Sequence, residues 1–104
     1  MIKNEVFNFL SGYFHEDWIL DHDSDMDVVR AFAESGINVR EVVALADKIE
    51  CVAAIHDHEF DDSWLLREYG CYYQPRADDL VASDWLRHIA IILRQCVHGR
   101  TDFE

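Results

Sequence analysis

The stretch INVREVVALADKIECVAAIH, residues 37–56, decides the fold class. Asn38 can cap a helix, Glu41 can reach back to it as in a capping box, and Ile37 and Val42 are placed as a hydrophobic staple. Apolar side chains then recur with the period of a helix. They are Val42, Val43, Leu45, Ala46, Ile49, Val52 and Ala53, with His56 closing the apolar face. The stretch predicts a long amphipathic helix that ends at about residue 57.

Four other segments show the same helical period and are bounded by residues that favour helix starts or stops. They run from about Ile2 to Tyr13, from Ser24 to Gly36, from Asp61 or Asp62 to Gly70, and from Ser83 to Gly99. No alternating strand pattern of comparable length competes with them. The sequence therefore predicts an all-α fold, a compact bundle of about five helices that forms one domain over residues 1–104.

A formal net charge of −12, from 21 acidic and 9 basic residues, narrows the possible functions. A nucleic-acid-binding protein neutralises phosphates with clustered Lys and Arg, so direct binding to DNA or RNA is disfavoured. A strongly negative surface instead speeds association with a basic partner at low salt. High acidity is also common in soluble proteins without such a partner, so the charge alone does not identify one.

The three cysteines, Cys51, Cys71 and Cys96, include no CxxC pair and are odd in number. They predict free thiols in a reducing compartment and not a disulfide framework or a zinc ribbon. The sequence also shows no cleavable signal and no run of about 18 apolar residues. A cytoplasmic protein that does not cross a membrane is expected.

The acidic stretch YFHEDWILDHDSDMD, residues 13–27, invites a metal-binding interpretation. A calcium loop counted from Asp23 places Val28 at its sixth position, where the sharp turn requires glycine. His56 and His58 lie two residues apart, so on a helix they point about 200° apart and cannot bind one metal from the same face. No metal or other cofactor is predicted. A small calcium- or metal-binding protein that uses Asp21, Asp23, Asp25, Asp27 and His22 stays as an alternative.

No arrangement of residues in the chain predicts catalysis. There is no GxSxG elbow, no glycine-rich phosphate loop and no HExxH signature. The paired acids lie in segments that are predicted to be exposed, whereas acid–base catalysis needs a pocket that separates their roles. The chain is therefore predicted to act by binding and not as an enzyme.

Three stretches resemble one family. They are LSGYFHEDW at residues 10–18, LLREYGCYYQP at 65–75 and DWLRHIAIIL at 84–93. In order and spacing they are similar to the all-helical immunity proteins of bacterial contact-dependent growth inhibition systems. The resemblance implies a cytoplasmic protein that binds and neutralises, as a 1:1 complex, the toxic C-terminal domain of a sibling cell's surface protein. Many such toxins are nucleases.

The resemblance divides the acidic stretch into two parts. Tyr13, Phe14 and Trp18 belong to the shared motif and are expected in the core. The less family-like segments DHDSDMD and IHDHEFDD carry the predicted partner-binding residues, which are Asp21, Asp23, Asp25, Asp27, Asp57, Glu59, Asp61 and Asp62. Their carboxylates would fill a basic cleft of the toxin, and their reversal to Lys would weaken binding without loss of the fold. A solvated acidic loop and a general mimic of nucleic acid remain alternatives.

Overall fold

The computed structural model describes residues 2–21, 23–57, 63–75 and 80–98. Within these ranges the chain forms six helices and no strand. They are α1 (Ile2–Tyr13), α2 (Trp18–Asp21), α3 (Asp25–Ala33), α4 (Val39–Ile55), α5 (Ser63–Tyr69) and α6 (Ala82–Val97). The predicted all-α fold is confirmed, and the single turn of α2 is an addition that the sequence did not predict.

The long predicted helix is α4, and its start follows the sequence signals in part. The side chain of Asn38 accepts a hydrogen bond from the backbone N–H of Arg40 at 2.7 Å. The Glu41 carboxylate makes no hydrogen bond to any residue that the structure describes, so the capping box is half formed. The predicted apolar face is buried along its length, at Val42, Leu45, Ala46, Ile49, Val52 and Ala53.

The helix α6 packs along α4 in the antiparallel direction. Arg94, near the end of α6, contacts Asp47 and Glu50 in the middle of α4. Arg87, nearer the start of α6, contacts Asp57 just beyond the end of α4. The two helices bury their facing apolar side chains, and those of α6 include Trp85, Leu86, Ile89 and Leu93. This helix pair forms the centre of the hydrophobic core.

The helix α3 lies against α6 and begins where the sequence predicts. The Ser24 hydroxyl accepts a hydrogen bond from the backbone N–H of Asp27 at 3.1 Å, which satisfies a donor of the first turn. The helix ends at Ala33, three residues before Gly36, whose φ is +93°. The left-handed stop predicted at Gly36 is therefore present, but it follows the helix end and does not form it.

The segment after α5 returns to the end of α1. Gly70 has a φ of +62° and ends α5 as predicted. A β-carbon at this position would lie 3.0 Å from Cβ of Ser11 on α1, so a side chain would fit only if α1 shifted slightly. Two residues later, the backbone N–H of Tyr72 donates to the carbonyl of Phe14 at 2.8 Å. These contacts hold the 70–75 segment against the residues that follow α1.

Candidate functional site

A cluster of aromatic side chains lies beneath the first acidic segment. Phe14 and Trp85 are fully buried, with ring centroids 5.1 Å apart in an edge-to-face arrangement. Tyr73 stacks on Trp85 at 4.5 Å, and the partly buried Trp18 contacts both Phe14 and Tyr73. The predicted core position of Phe14 is confirmed, whereas Tyr13 and Trp18 pack against the core from its edge. This cluster supports α2 and the start of α3.

Asp25 is fixed to this cluster by a hydrogen bond. The indole Nε1 of Trp85 donates to Oδ2 of Asp25 at 2.8 Å. Trp85 is fully buried, so this carboxylate satisfies a donor that would otherwise lose water without replacement. Asp25 is therefore a structural residue. The expectation that it can be reversed to Lys without loss of the fold is at odds with this contact.

Asp23 and Asp27, two residues before and after Asp25, are in contact with solvent. Asp27 forms an exposed ion pair with Arg30, with Oδ1 and Nη1 3.4 Å apart. Asp23 is exposed and makes no ion pair or hydrogen bond with any described residue. Of Asp23, Asp25 and Asp27, Asp23 is therefore the one whose negative charge no described side chain offsets.

The second acidic segment begins at Asp57, which contacts α6, the helix that carries Trp85. Nη2 of Arg87 lies 2.7 Å from Oδ1 of Asp57, and Nη1 of Arg87 lies 3.4 Å from Oδ1 of Asp84. The hydrogen bond from Arg87 to Asp57 raises the pKa of the Arg87 guanidinium. Glu59, Asp61 and Asp62 lie outside the described residues, as does the side chain of Asp21.

Both predicted acidic segments contact α6 within its first two turns, on opposite sides of the helix. Asp25 is bound to Trp85 and Asp57 to Arg87, two residues apart near the start of α6. We use the name acidic end for the carboxylates of Asp25, Asp57 and Asp84, which lie on or contact the first turns of α6, together with those of Asp23 and Asp27, which flank Asp25 in sequence. It is separated along α6 from Arg94, whose guanidinium binds Asp47 at 2.6 Å and Glu50 at 2.9 Å.

The ion pair between Arg94 and Glu50 shifts the pKa of both side chains. The hydrogen bond from Arg94 lowers the pKa of the Glu50 carboxyl, and the hydrogen bonds to Glu50 and Asp47 raise the pKa of Arg94. Lys48 forms a further pair with Glu5. These contacts join α6 to α4 and α4 to α1, and they neutralise charge in the middle of the bundle.

Two exposed apolar residues that were not predicted as site residues lie just before the first acidic segment in sequence. Ile19 and Leu20, in the single turn of α2, have 69% and 80% of their surface exposed. A signal was available in the sequence, because three consecutive apolar residues on one helical turn cannot all face the core. Trp18 occupies the inward position, which leaves the two aliphatic side chains in solvent.

His56 occupies the position predicted for it at the end of α4. Its imidazole ring stacks on the indole of the buried Trp64, with centroids 3.8 Å apart and planes 7° apart. It therefore closes the apolar face of the helix. In the part of the chain that the structure describes, no group of three or more His, Cys, Asp or Glu side chains is arranged to hold a metal ion.

A groove of about 470 Å³ lies between α1, α3 and α4, and its wall residue Phe9 contacts Phe14 of the aromatic cluster. Its walls are largely apolar and include Phe9, Phe32 and Leu45. The charged residues at its edge include Lys48 and Glu5, which already pair with each other. Glu41 also lines the groove without an ion pair to any described residue, so the charge there is compensated only in part.

Comparison with protein families assigns the chain to a family. The model of the family described as CdiI immunity protein matches residues 3–93. The chain belongs to the CdiI immunity protein family. Searches of curated proteins and of solved structures found no match. Members of this family inhibit toxins in contact-dependent growth inhibition and are not enzymes.

The family assignment explains what kind of site this immunity protein needs. It neutralises a toxin protein by binding it, so its functional site is a protein-binding surface and not a catalytic pocket. None of the described helices is long and apolar enough to cross a membrane. The exposed features described above, the acidic end and the Ile19–Leu20 pair, are candidates for that surface.

Proposed function

We propose that this immunity protein neutralises a cationic toxin domain, a nuclease, by placing its acidic end over the toxin's active site in a 1:1 complex. The protein does no chemistry in this account. It excludes the substrate by steric and electrostatic occlusion. The supporting observation is that both acidic segments contact the first turns of α6, Asp25 through Trp85 and Asp57 through Arg87.

The distribution of charge supports a basic partner. Among the basic side chains that the structure describes, Arg40 is the one without an acidic partner. The others, Arg30, Lys48, Arg67, Arg87 and Arg94, are paired within the chain. The formal net charge of −12 thus leaves carboxylates such as Asp23 without a cation of their own. Such a surface attracts a cationic partner over a distance of about 8–10 Å at physiological salt.

A nuclease is the class of toxin that fits this chemistry. An enzyme that binds nucleic acid lines its cleft with Lys and Arg to neutralise phosphates. Carboxylates at comparable spacing offer the same sign of charge, and Arg binds a carboxylate through two parallel hydrogen bonds. The acidic end would therefore compete with the substrate for the same cationic groups.

A competition assay tests this function. The toxin domain encoded beside the immunity gene is purified and its cleavage of RNA and DNA is followed with increasing immunity protein. We expect complete inhibition at a 1:1 ratio, and we expect non-cleavable nucleic acid to displace the immunity protein. A toxin that cleaves no nucleic acid, or an inhibited complex that still binds nucleic acid, would contradict the proposal.

The same assay with an unrelated cationic nuclease separates immunity from general mimicry of nucleic acid. Immunity predicts no inhibition of the unrelated enzyme, because shape as well as charge must match. Equal inhibition of both nucleases would show that the protein is a general acidic mimic.

A further inference from the structure

Backbone hydrogen bonds and the packed ring of Trp18 hold the single turn of α2 in place. The backbone N–H of Trp18 donates to the carbonyl of His15 at 3.0 Å, and the N–H of Leu20 donates to the carbonyl of Asp17 at 2.9 Å. The Trp18 ring lies 5.6 Å from Phe14 and 5.7 Å from Tyr73. Ile19 and Leu20 are therefore held outward by a turn whose inner side is packed.

The surroundings of this apolar pair differ from those of Ile91, another exposed apolar side chain. Ile91 on α6 is 49% exposed, but it lies one turn from both Arg87 and Arg94, which are engaged in ion pairs. The Ile19–Leu20 pair is instead flanked in sequence by Glu16, Asp17 and Asp23. These three carboxylates are exposed and make no ion pair with any described residue.

An apolar centre with a charged rim is the usual organisation of a protein interface. The centre loses its water on binding and contributes most of the affinity. The rim stays solvated and favours a partner of complementary charge. An isolated exposed aliphatic residue needs no explanation, but two adjacent ones that are more than two-thirds exposed form a patch. The unpaired acids around the patch favour a partner with cations at matching positions.

We propose that Ile19 and Leu20 are the apolar anchor of the toxin interface. They insert into an apolar depression on the cognate toxin domain that is bordered by Lys or Arg side chains, which pair with Glu16, Asp17 and Asp23. This inference rests on the proposed function and adds the contact that supplies affinity. The acids then govern the rate of association, and the aliphatic pair governs the rate of dissociation.

The test uses the purified toxin domain encoded beside the immunity gene and three variants of the full chain. They are Ile19→Ala, Leu20→Ala and the double variant, with Ile91→Ala as the matched control on another exposed isoleucine. Removing a buried aliphatic side chain corresponds to a loss of roughly tenfold in affinity. We expect each single α2 variant to bind about tenfold more weakly through faster dissociation, and the double variant to bind more weakly than either. The melting temperature should be unchanged, and Ile91→Ala should bind like the wild type.

The outcomes separate this inference from the proposed function. Wild-type affinity in the double variant would overturn the apolar anchor, while a wild-type protein that still competes with nucleic acid would leave the proposed function standing. If the wild type does not bind this toxin, both fail. Sedimentation of the free protein tests whether a second copy of the immunity protein covers the Ile19–Leu20 pair. A dimer that the double variant dissolves, with toxin affinity unchanged, would also overturn the inference.

Discussion

Asp25 and Trp85, 60 residues apart in sequence, are joined by a 2.8 Å hydrogen bond from the indole Nε1 to the carboxylate. Trp85 packs between Phe14 and Tyr73 in the core, so the bond ties the first acidic segment to the centre of the fold. Its neighbour Asp23 has no such contact among the described residues. Two acids of one sequence segment thus have different roles, and substitutions separate them.

Replacing Asp25 by Ala is expected to lower the free energy of unfolding by about 1–3 kcal/mol, because it leaves the buried Nε1 of Trp85 without an acceptor. Asp25→Asn keeps an acceptor oxygen and is expected to lose less. Urea denaturation measures both, with Asp23→Ala as the control that should match the wild type. Equal stability of Asp25→Ala and the wild type would show that the hydrogen bond does not stabilise the fold.

The aromatic motif should act through stability and in proportion to burial. Phe14→Ala empties a fully buried position and is expected to cost about 3–5 kcal/mol. Trp18→Ala, at the edge of the same cluster, is expected to cost about 2 kcal/mol because part of its ring is already in water. Denaturant midpoints rank the two. A larger loss for Trp18 would contradict the packing described here.

Gly70 and Gly36 form a matched pair for backbone strain. Both have positive φ, which costs an L-residue about 1–2 kcal/mol. At Gly70 a β-carbon would also press on Cβ of Ser11, whereas at Gly36 it would meet open space. We therefore expect Gly70→Ala to lower the unfolding free energy more than Gly36→Ala does. Similar losses in both variants would show that α1 moves aside without cost.

The Arg94–Glu50 pair predicts a dependence of stability on pH. The pKa of Glu50 is lowered below its ordinary value of 4.5 by the hydrogen bond from Arg94. A carboxyl with a lowered pKa in the folded state stabilises the fold above the unfolded pKa, and the contribution is lost as pH falls through the folded pKa. The pair is partly exposed, so its contribution at pH 7 is at most about 1 kcal/mol.

Arg94→Met tests this dependence. The variant should have a lower melting temperature than the wild type at pH 7. The difference in melting temperature should shrink when the pH falls below the ordinary glutamate pKa of 4.5. Thermal melts at pH 7 and at acid pH measure it. A difference that is the same at both pH values would mean that Arg94 stabilises by packing alone.

The residues that could be predicted from the sequence are those whose signals are local. The helix periods, the caps at Ser24 and Asn38 and the stop at Gly70 act within a few residues, and each was confirmed. The contact between Asp25 and Trp85 could not be predicted, because both lie in segments whose relative placement depends on how α3 packs on α6. For the same reason the sequence did not show that both acidic segments contact the first turns of α6.

The most direct test of the central claim measures how tightly the Asp23→Lys variant binds the toxin domain encoded beside the immunity gene. The Glu34→Lys variant is the matched charge reversal. Both acids are exposed and unpaired among the described residues, but Glu34 lies at the opposite end of α3. We predict that Asp23→Lys weakens binding by more than about tenfold at low salt and that the loss shrinks as salt rises, while Glu34→Lys binds like the wild type. Equal affinities for both variants and the wild type, with no dependence on salt, would show that the acidic end is not the surface that binds the toxin.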